Sequence, residues 1–137
     1  MSNYISLPTY QNRIDQRYLL IGNRCKNCRE IYFPKKMICL KCGSKELEDY
    51  PLKGIGTLFT FTVIAKGAAP TEFDDQQAMT GDLLVGIVAL EEGPKIAAQL
   101  TDLKADDLYI GMPLKMVFRR LYEQEGVIRY SFKFSSV

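Results

Sequence analysis

Cys25-Lys-Asn-Cys28-Arg-Glu-Ile-Tyr-Phe-Pro-Lys-Lys-Met-Ile-Cys39-Leu-Lys-Cys42 holds all four cysteines of the 137-residue chain, as two Cys-x-x-Cys pairs with ten residues between them. That spacing reads as a metal site. Each pair places two thiolates on one tight turn, and two facing turns complete the tetrahedral four-sulfur shell of a closed, structural zinc site. Cys25, Cys28, Cys39 and Cys42 are therefore expected to hold one Zn²⁺. Four thiolates suit iron as well, so spacing alone leaves both metals open. A disulfide reading is weaker, because the start Met-Ser-Asn-Tyr-Ile-Ser-Leu-Pro lacks the basic-then-apolar form of a secretion signal. Dithiol redox chemistry is weaker too, since two matched pairs in a short segment saturate one another as ligands.

Upstream of this stretch, Tyr10, Ile14 and Tyr18 recur every four residues, with Leu7 and Ile21 extending the stripe. The period predicts an amphipathic helix over residues 1–18, opened by Pro8 and stopped by Gly22. Residues 19–46 are then the metal ribbon. Leu19 to Arg24 is its entering strand, and Ile31-Tyr32-Phe33-Pro34 is an apolar patch between the two cysteine turns. Arg24, Lys26, Arg29, Lys35, Lys36, Lys41 and Lys45 surround the patch. They read as a solvated face that offsets the metal–thiolate charge, or as an attraction for an anionic ligand or acidic partner.

Downstream the apolar period changes to two. Gly54 to Ile64, Leu83 to Leu90, Lys95 to Leu100, Leu114 to Tyr122 and Val127 to Phe134 read as five strands, with a short helical turn near residues 101–107. Five strands in that order predict a small Greek-key barrel of the OB type over residues 47–137, a split sandwich being the alternative. In the last strand Ile128, Tyr130, Phe132 and Phe134 should face the core and Val127, Arg129, Ser131 and Lys133 the water. Residues 65–82 are too long for a simple turn and are expected to be a functional or mobile loop. The fold class is thus mainly β: an N-terminal helix, a ribbon and a barrel.

Composition restricts the chemistry. There is no histidine, which excludes a Ser-His or Cys-His nucleophile pair and a histidine general base. With the cysteines committed to metal, catalysis would fall to carboxylates such as Asp74-Asp75 or Asp106-Asp107, and adjacent loop acids are ordinarily solvated or capping. Residues 1–53 carry ten Lys/Arg against five Asp/Glu, and residues 54–137 carry eight against eleven. The net acidic barrel half argues against a nucleic-acid surface, although a single-strand-binding zinc-ribbon and OB-fold protein remains the alternative reading. No apolar run approaches the roughly 20 residues of a membrane span. A cytoplasmic protein with no membrane contact is expected.

The order of motifs resembles a known family. Gly22, Cys25, Cys28, Phe33-Pro34-Lys35-Lys36, Cys39, Cys42 and Gly54-Ile-Gly-Thr-Leu-Phe-Thr-Phe-Thr62 match the acyl-CoA-associated proteins that join a rubredoxin-like zinc ribbon to an OB-fold. Ile87-Val-Ala-Leu-Glu-Glu-Gly93 and Ile110-Gly111-Met112 fit the barrel of that family. Arg29 and Lys35 depart from it, standing where the family has Gly and Pro, so the first cysteine turn is expected to differ in detail. The resemblance implies a non-catalytic accessory subunit that binds thiolase-like or hydratase-like enzymes and helps hold acyl-CoA, in isoprenoid synthesis or other lipid metabolism. It supplies no catalytic residue. A site for CoA or acyl-CoA needs cations at a groove mouth, and Lys66, Lys115, Arg119 and Arg120 are the candidates. Lys115 and Arg119 alternate to one side of their strand and Arg120 to the other, so they are not expected to serve one groove. Phe59, Phe61 and Tyr130 are expected in the core.

Overall fold

Short runs of β-branched and aromatic residues, broken by Gly, Pro and paired acids, build two separate sheets. The computed structural model describes Pro8, Ile14 and residues 18–124 and 126–137. The expected helix over residues 1–18 lies outside the described residues, apart from those three positions. The chain divides into two units, Met1–Leu52 and Lys53–Val137.

In the first unit, β1 (Ile21–Cys25) lies between β2 (Ile31–Tyr32) and β3 (Leu47–Pro51), both antiparallel to it. Residues 47–51, read from sequence as the head of the barrel, pair along their whole length with β1. The break in period comes only at Gly54, after Pro51 has ended that strand. Gly22 does not stop a helix. It sits inside β1 against the Tyr32 carbonyl, where a Cβ would overlap the oxygen, so only glycine lets β2 approach this closely. Among the described residues of this unit the buried side chains are Leu20, Leu52, Cys25, Cys39 and the polar Asn23.

In the second unit β4 (Ile55–Ile64), β5 (Leu83–Leu90), β6 (Lys95–Gln99), β7 (Pro113–Gln124) and β8 (Val127–Ser136) form one sheet in the order β6-β5-β4-β7-β8. The sheet curls until its two ends meet at a parallel bridge between Leu100 and Phe134, reinforced by the Thr101 amide donating to the Phe134 carbonyl at 2.8 Å. This is a nearly closed OB-type barrel rather than a split sandwich. Leu58, Leu84, Val88, Leu90, Ile96, Leu100, Leu114 and Phe134 fill it, each 5 % exposed or less.

Residues 65–82 are not a bare loop. They hold a 3₁₀ turn at Thr71–Phe73 and a helix, α1 (Asp74–Thr80). Gln77, 2 % exposed, anchors the segment: its Oε1 accepts from the Gly67 amide at 3.1 Å, and its Nε2 donates to the carbonyls of Ile64 and Ala65. Asp74 and Asp75 occupy the first turn of α1, and Asp107 closes a capping box on Lys104. Asp107 therefore does the capping work that adjacent loop acids ordinarily do, and Asp74 and Asp75 place negative charge at a helix start.

Two bulges move side chains from their expected faces. One between Leu58 and Thr60 turns Phe59 outward, 51 % exposed, with the Lys95 ammonium 4.0 Å from its ring centre. The other makes Leu121 an extra residue in β7, since Arg120 opposes Tyr130 and Tyr122 opposes Arg129. The β7–β8 hairpin also reaches beyond the short β4–β7 ladder. There Ile128 and Tyr130 are exposed, while Arg129 and Lys133 are buried at 7 % and 4 %. The expected core and water faces of β8 hold at Phe134 and reverse toward the hairpin tip.

Candidate metal centre and ligand cavities

Two matching turns place the sulfurs. In the first, the Arg29 amide donates to the Cys25 carbonyl at 2.9 Å; in the second, the Gly43 amide donates to the Cys39 carbonyl at 2.9 Å. Residues 29 and 43, four places after the leading cysteine of each pair, both take left-handed backbone, at φ 63° and 75°. The first turn thus keeps the geometry of the second despite carrying Arg in place of Gly. A non-glycine residue there costs roughly 1–2 kcal/mol, partly offset by the extra freedom glycine has when unfolded. Arg29→Gly is expected to stabilise the ribbon by about 0.5–1 kcal/mol, read as a higher urea midpoint; a lower midpoint would show that the Arg29 side chain outweighs its strained backbone.

The four Sγ atoms all lie within 4.8 Å of one another. Cys25 and Cys42 are 3.6 Å apart, and Cys28 and Cys39 3.4 Å, far from disulfide contact. Sulfurs bound about 2.3 Å from zinc span tetrahedral edges of about 3.8 Å, so the cluster fits that ion with little adjustment. Tyr32 supports it from β2: its hydroxyl accepts from the Leu40 amide at 3.0 Å and lies 3.3 Å from Cys39 Sγ. That hydroxyl holds the Cys39 thiol down to about 6 against the effect of burial. The Cys28 backbone lowers Cys25. Cys28 accepts a favourable hydrogen bond from the Glu30 backbone, yet burial and the neighbouring thiols outweigh it and push Cys28 up to about 12. Cys39 therefore ionises more readily than Cys28. A divalent ion at the centre is what allows all four to ionise together.

Asn23 fixes the loop between the turns. Its Nδ2 donates to the Lys36 carbonyl at 2.6 Å, and its Oδ1 accepts from the Lys36 amide at 3.2 Å. Beyond this clasp Met37, Ile38 and Leu40 are exposed at 91 %, 46 % and 76 %. Several cations that surround the ribbon are paired on it: Arg24 with Glu48 at 2.7 Å, Lys35 with Asp49 at 3.1 Å and Lys41 with Glu30 at 3.7 Å.

The barrel unit carries two cavities. One, about 350 Å³, lies in the seam where β6 and β8 part below the Leu100–Phe134 bridge. Ala97, Ala98 and Gln99 form one wall and Ser131, Phe132 and the bulged Leu121 another, with Pro70 and Phe73 above. The second, about 560 Å³, lies beside α1 and is bordered by Gln76, Thr80, Thr101, Arg119, Arg120 and Lys133, with Glu72, Asp75 and Glu123 also on it. Both cavities touch Leu121, and the Phe73 ring stands edge-on to Tyr122 at 5.6 Å between them.

The candidate ligand cations therefore divide. Arg119 and Arg120 both border one cavity, although they alternate to opposite faces of β7. Lys66 and Lys115 border neither cavity. Sequence reading missed Lys133 and Arg129, which strand alternation had placed on the wet face, and no local signal marks the helix that covers Lys133.

A four-cysteine ribbon followed by a Greek-key barrel makes this a zinc-ribbon and OB-fold protein. The chain belongs to the ChsH2 family: residues 15–48 match the ChsH2 rubredoxin-like zinc ribbon domain and residues 49–119 the ChsH2 C-terminal OB-fold domain. It is 43 % identical over 127 residues to a DUF35 domain-containing scaffold protein of Methanocaldococcus jannaschii, covering 90 % of this chain and 86 % of that one. It is 35 % identical over 81 residues to the benzoylsuccinyl-CoA thiolase subunit BbsA of Thauera aromatica, covering 59 % and 51 %. A probable enoyl-CoA hydratase alpha subunit of Thermomonospora curvata is 28 % identical over 99 residues, covering 72 % and 28 %. The solved Ltp2-ChsH2(DUF35) aldolase has the same fold, with a TM-score of 0.70 at 22 % identity over 98 % of each chain. Among the described residues no helix is long and apolar enough to cross a membrane.

Proposed function

We propose that the protein is a non-catalytic accessory subunit that holds one structural Zn²⁺ on Cys25, Cys28, Cys39 and Cys42, associates with a thiolase-fold or hydratase-type enzyme, and takes part in binding that enzyme's acyl-CoA. One observation carries the reading: a relative of nearly full coverage is named a scaffold and another a thiolase subunit, while this chain has no histidine and its four cysteines converge on one cluster. A reaction centre of its own would lack a thiol or imidazole nucleophile. The exposed Met37, Ile38 and Leu40 supply the apolar surface that a partner would cover.

Single-strand nucleic-acid binding fits less well. It needs stacking aromatics alongside backbone-tracking cations. Phe118 and Tyr130 do stack, 5.5 Å apart at 14°. Among the described residues of the hairpin the cation in register with that pair is Arg120, and it is engaged by Glu123 at 2.9 Å. Arg119, Arg129 and Lys133 project from the opposite face of the hairpin.

Affinity purification of the tagged chain from native cells, followed by mass spectrometry, is expected to recover a thiolase-fold or hydratase-type enzyme. Repeated recovery of nucleic acid or ribosomal proteins instead, or turnover of acyl-CoA by the purified chain alone, would overturn the reading.

A further inference from the structure

Lys133 is the most unusual side chain in the barrel unit. It is 4 % exposed, forms no ion pair among the described residues, and donates a single hydrogen bond, to the Gln76 amide oxygen at 3.4 Å. Burial, and then the nearby charge of Arg119, hold its ammonium below the ordinary lysine range, with Asp102 opposing them. A buried charge is normally paired. Arg129, on the same face of β8 and 7 % exposed, leaves its Nε without a partner while its guanidinium lies 5.4 Å from the Tyr122 ring centre. Arg119, from β7, is held by Asp102 in a half-exposed contact at 3.3 Å. Arg119 and the buried Lys133 thus stand together at the cavity beside the 71–80 segment, while Arg129 borders neither cavity. The acids at this cavity stand nearer water: Asp75 is exposed, Glu72 half-buried, and Glu123 engaged by Arg120.

The neighbouring seam complements it. Its walls are apolar, and its small residues Ala97, Ala98 and Ser131 leave room between two strand edges joined through the bridge at Leu100 and Phe134. Gln99 Oε1 is buried at this wall without a donor. The seam therefore suits a narrow apolar arm that carries an N–H group. Both cavities fall within the roughly 300–1,000 Å³ of small-molecule sites.

We propose that the two cavities are one binding site for a phosphopantetheine-type ligand, its phosphate held by Lys133 with Arg119, and its amide-bearing arm laid in the β6–β8 seam against Gln99. The proposal rests on the acyl-CoA reading above and adds the place and residues. The phosphate neutralises the buried ammonium, and an arm amide donates to Gln99 Oε1. Phe73 and Tyr122, in edge contact, stand where arm and phosphate meet.

Calorimetric titration of the full chain with coenzyme A, pantetheine and inorganic phosphate tests this. Lys133→Met is expected to weaken coenzyme A about 10- to 100-fold, the range for a lost charged hydrogen bond, and to leave pantetheine unchanged. Gln99→Leu should weaken both. Because Lys133→Met removes a desolvated charge, its melting temperature should hold or rise, so loss of binding will not reflect unfolding; Lys133→Gln gives a second check. Lys66→Gln and Lys115→Gln should leave binding within twofold. Coenzyme A binding that survives Lys133→Met, or that depends equally on Lys66 or Lys115, overturns the site while leaving the accessory reading intact. No binding of coenzyme A to the unaltered chain also overturns it, and recovery of a thiolase-fold partner then shows separately whether the association stands.

Discussion

Cys25→Ser or Cys39→Ser, or stripping the metal with a chelator, is expected to abolish the folded ribbon. Among the described residues the unit's buried apolar side chains are Leu20, Leu52 and the inner cysteines, and modules this short commonly rely on a metal or disulfide to fold. Zinc in comparable small modules supplies about 10–16 kcal/mol of apparent binding energy, more than the whole stability of many domains. The two inner cysteines should be the most sensitive, being 0 % and 1 % exposed, and Cys39 also takes the Tyr32 hydroxyl. Elemental analysis should give one metal per chain, and circular dichroism should show β-structure lost on chelation. A melting curve unchanged by chelator, or metal well below one per chain, would contradict the assignment.

Phe134→Ala is expected to destabilise the barrel by about 3–5 kcal/mol, the range for emptying a fully packed aromatic site. Phe134 is 0 % exposed, meets Phe132 edge-on at 6.1 Å, and lies at the bridge where the two ends of the sheet join. Truncating it opens a void at the one place where closure depends on so few hydrogen bonds. Phe118, in the partner strand of the same hairpin, is 50 % exposed. Phe118→Ala should cost under about 1 kcal/mol, as surface changes ordinarily do. Urea unfolding of both variants checks the contrast. Equal losses would mean that the hairpin tip is as well packed as the seam.

The order of these elements could be read from the chain because each signal is local. Two cysteine pairs announce their turns, and alternation between Gly and Pro breaks announces strands. What escaped reading depends on contacts between distant segments. The helix over residues 74–80 buries a single residue, Gln77, so it has no apolar stripe to betray it. The bulges at Phe59 and Leu121 each add one residue to a strand, and one residue is enough to turn an expected core aromatic outward. Lys133 looks like a solvated position because the segment that covers it lies more than fifty residues earlier. The cysteine cluster was legible and the cations at the cavities only in part, since thiol spacing is a property of one turn and a buried cation is a property of the whole barrel.

The clasp formed by Asn23 has an evolutionary consequence. Because its amide grips only the main chain of Lys36, the anchoring asks nothing of the side chains that follow, and any residue but proline can occupy the gripped position. Substitutions at Met37, Ile38 or Leu40 can then accumulate without loosening the framework beneath them. The tip can thus change its chemistry from lineage to lineage while the same foundation is inherited.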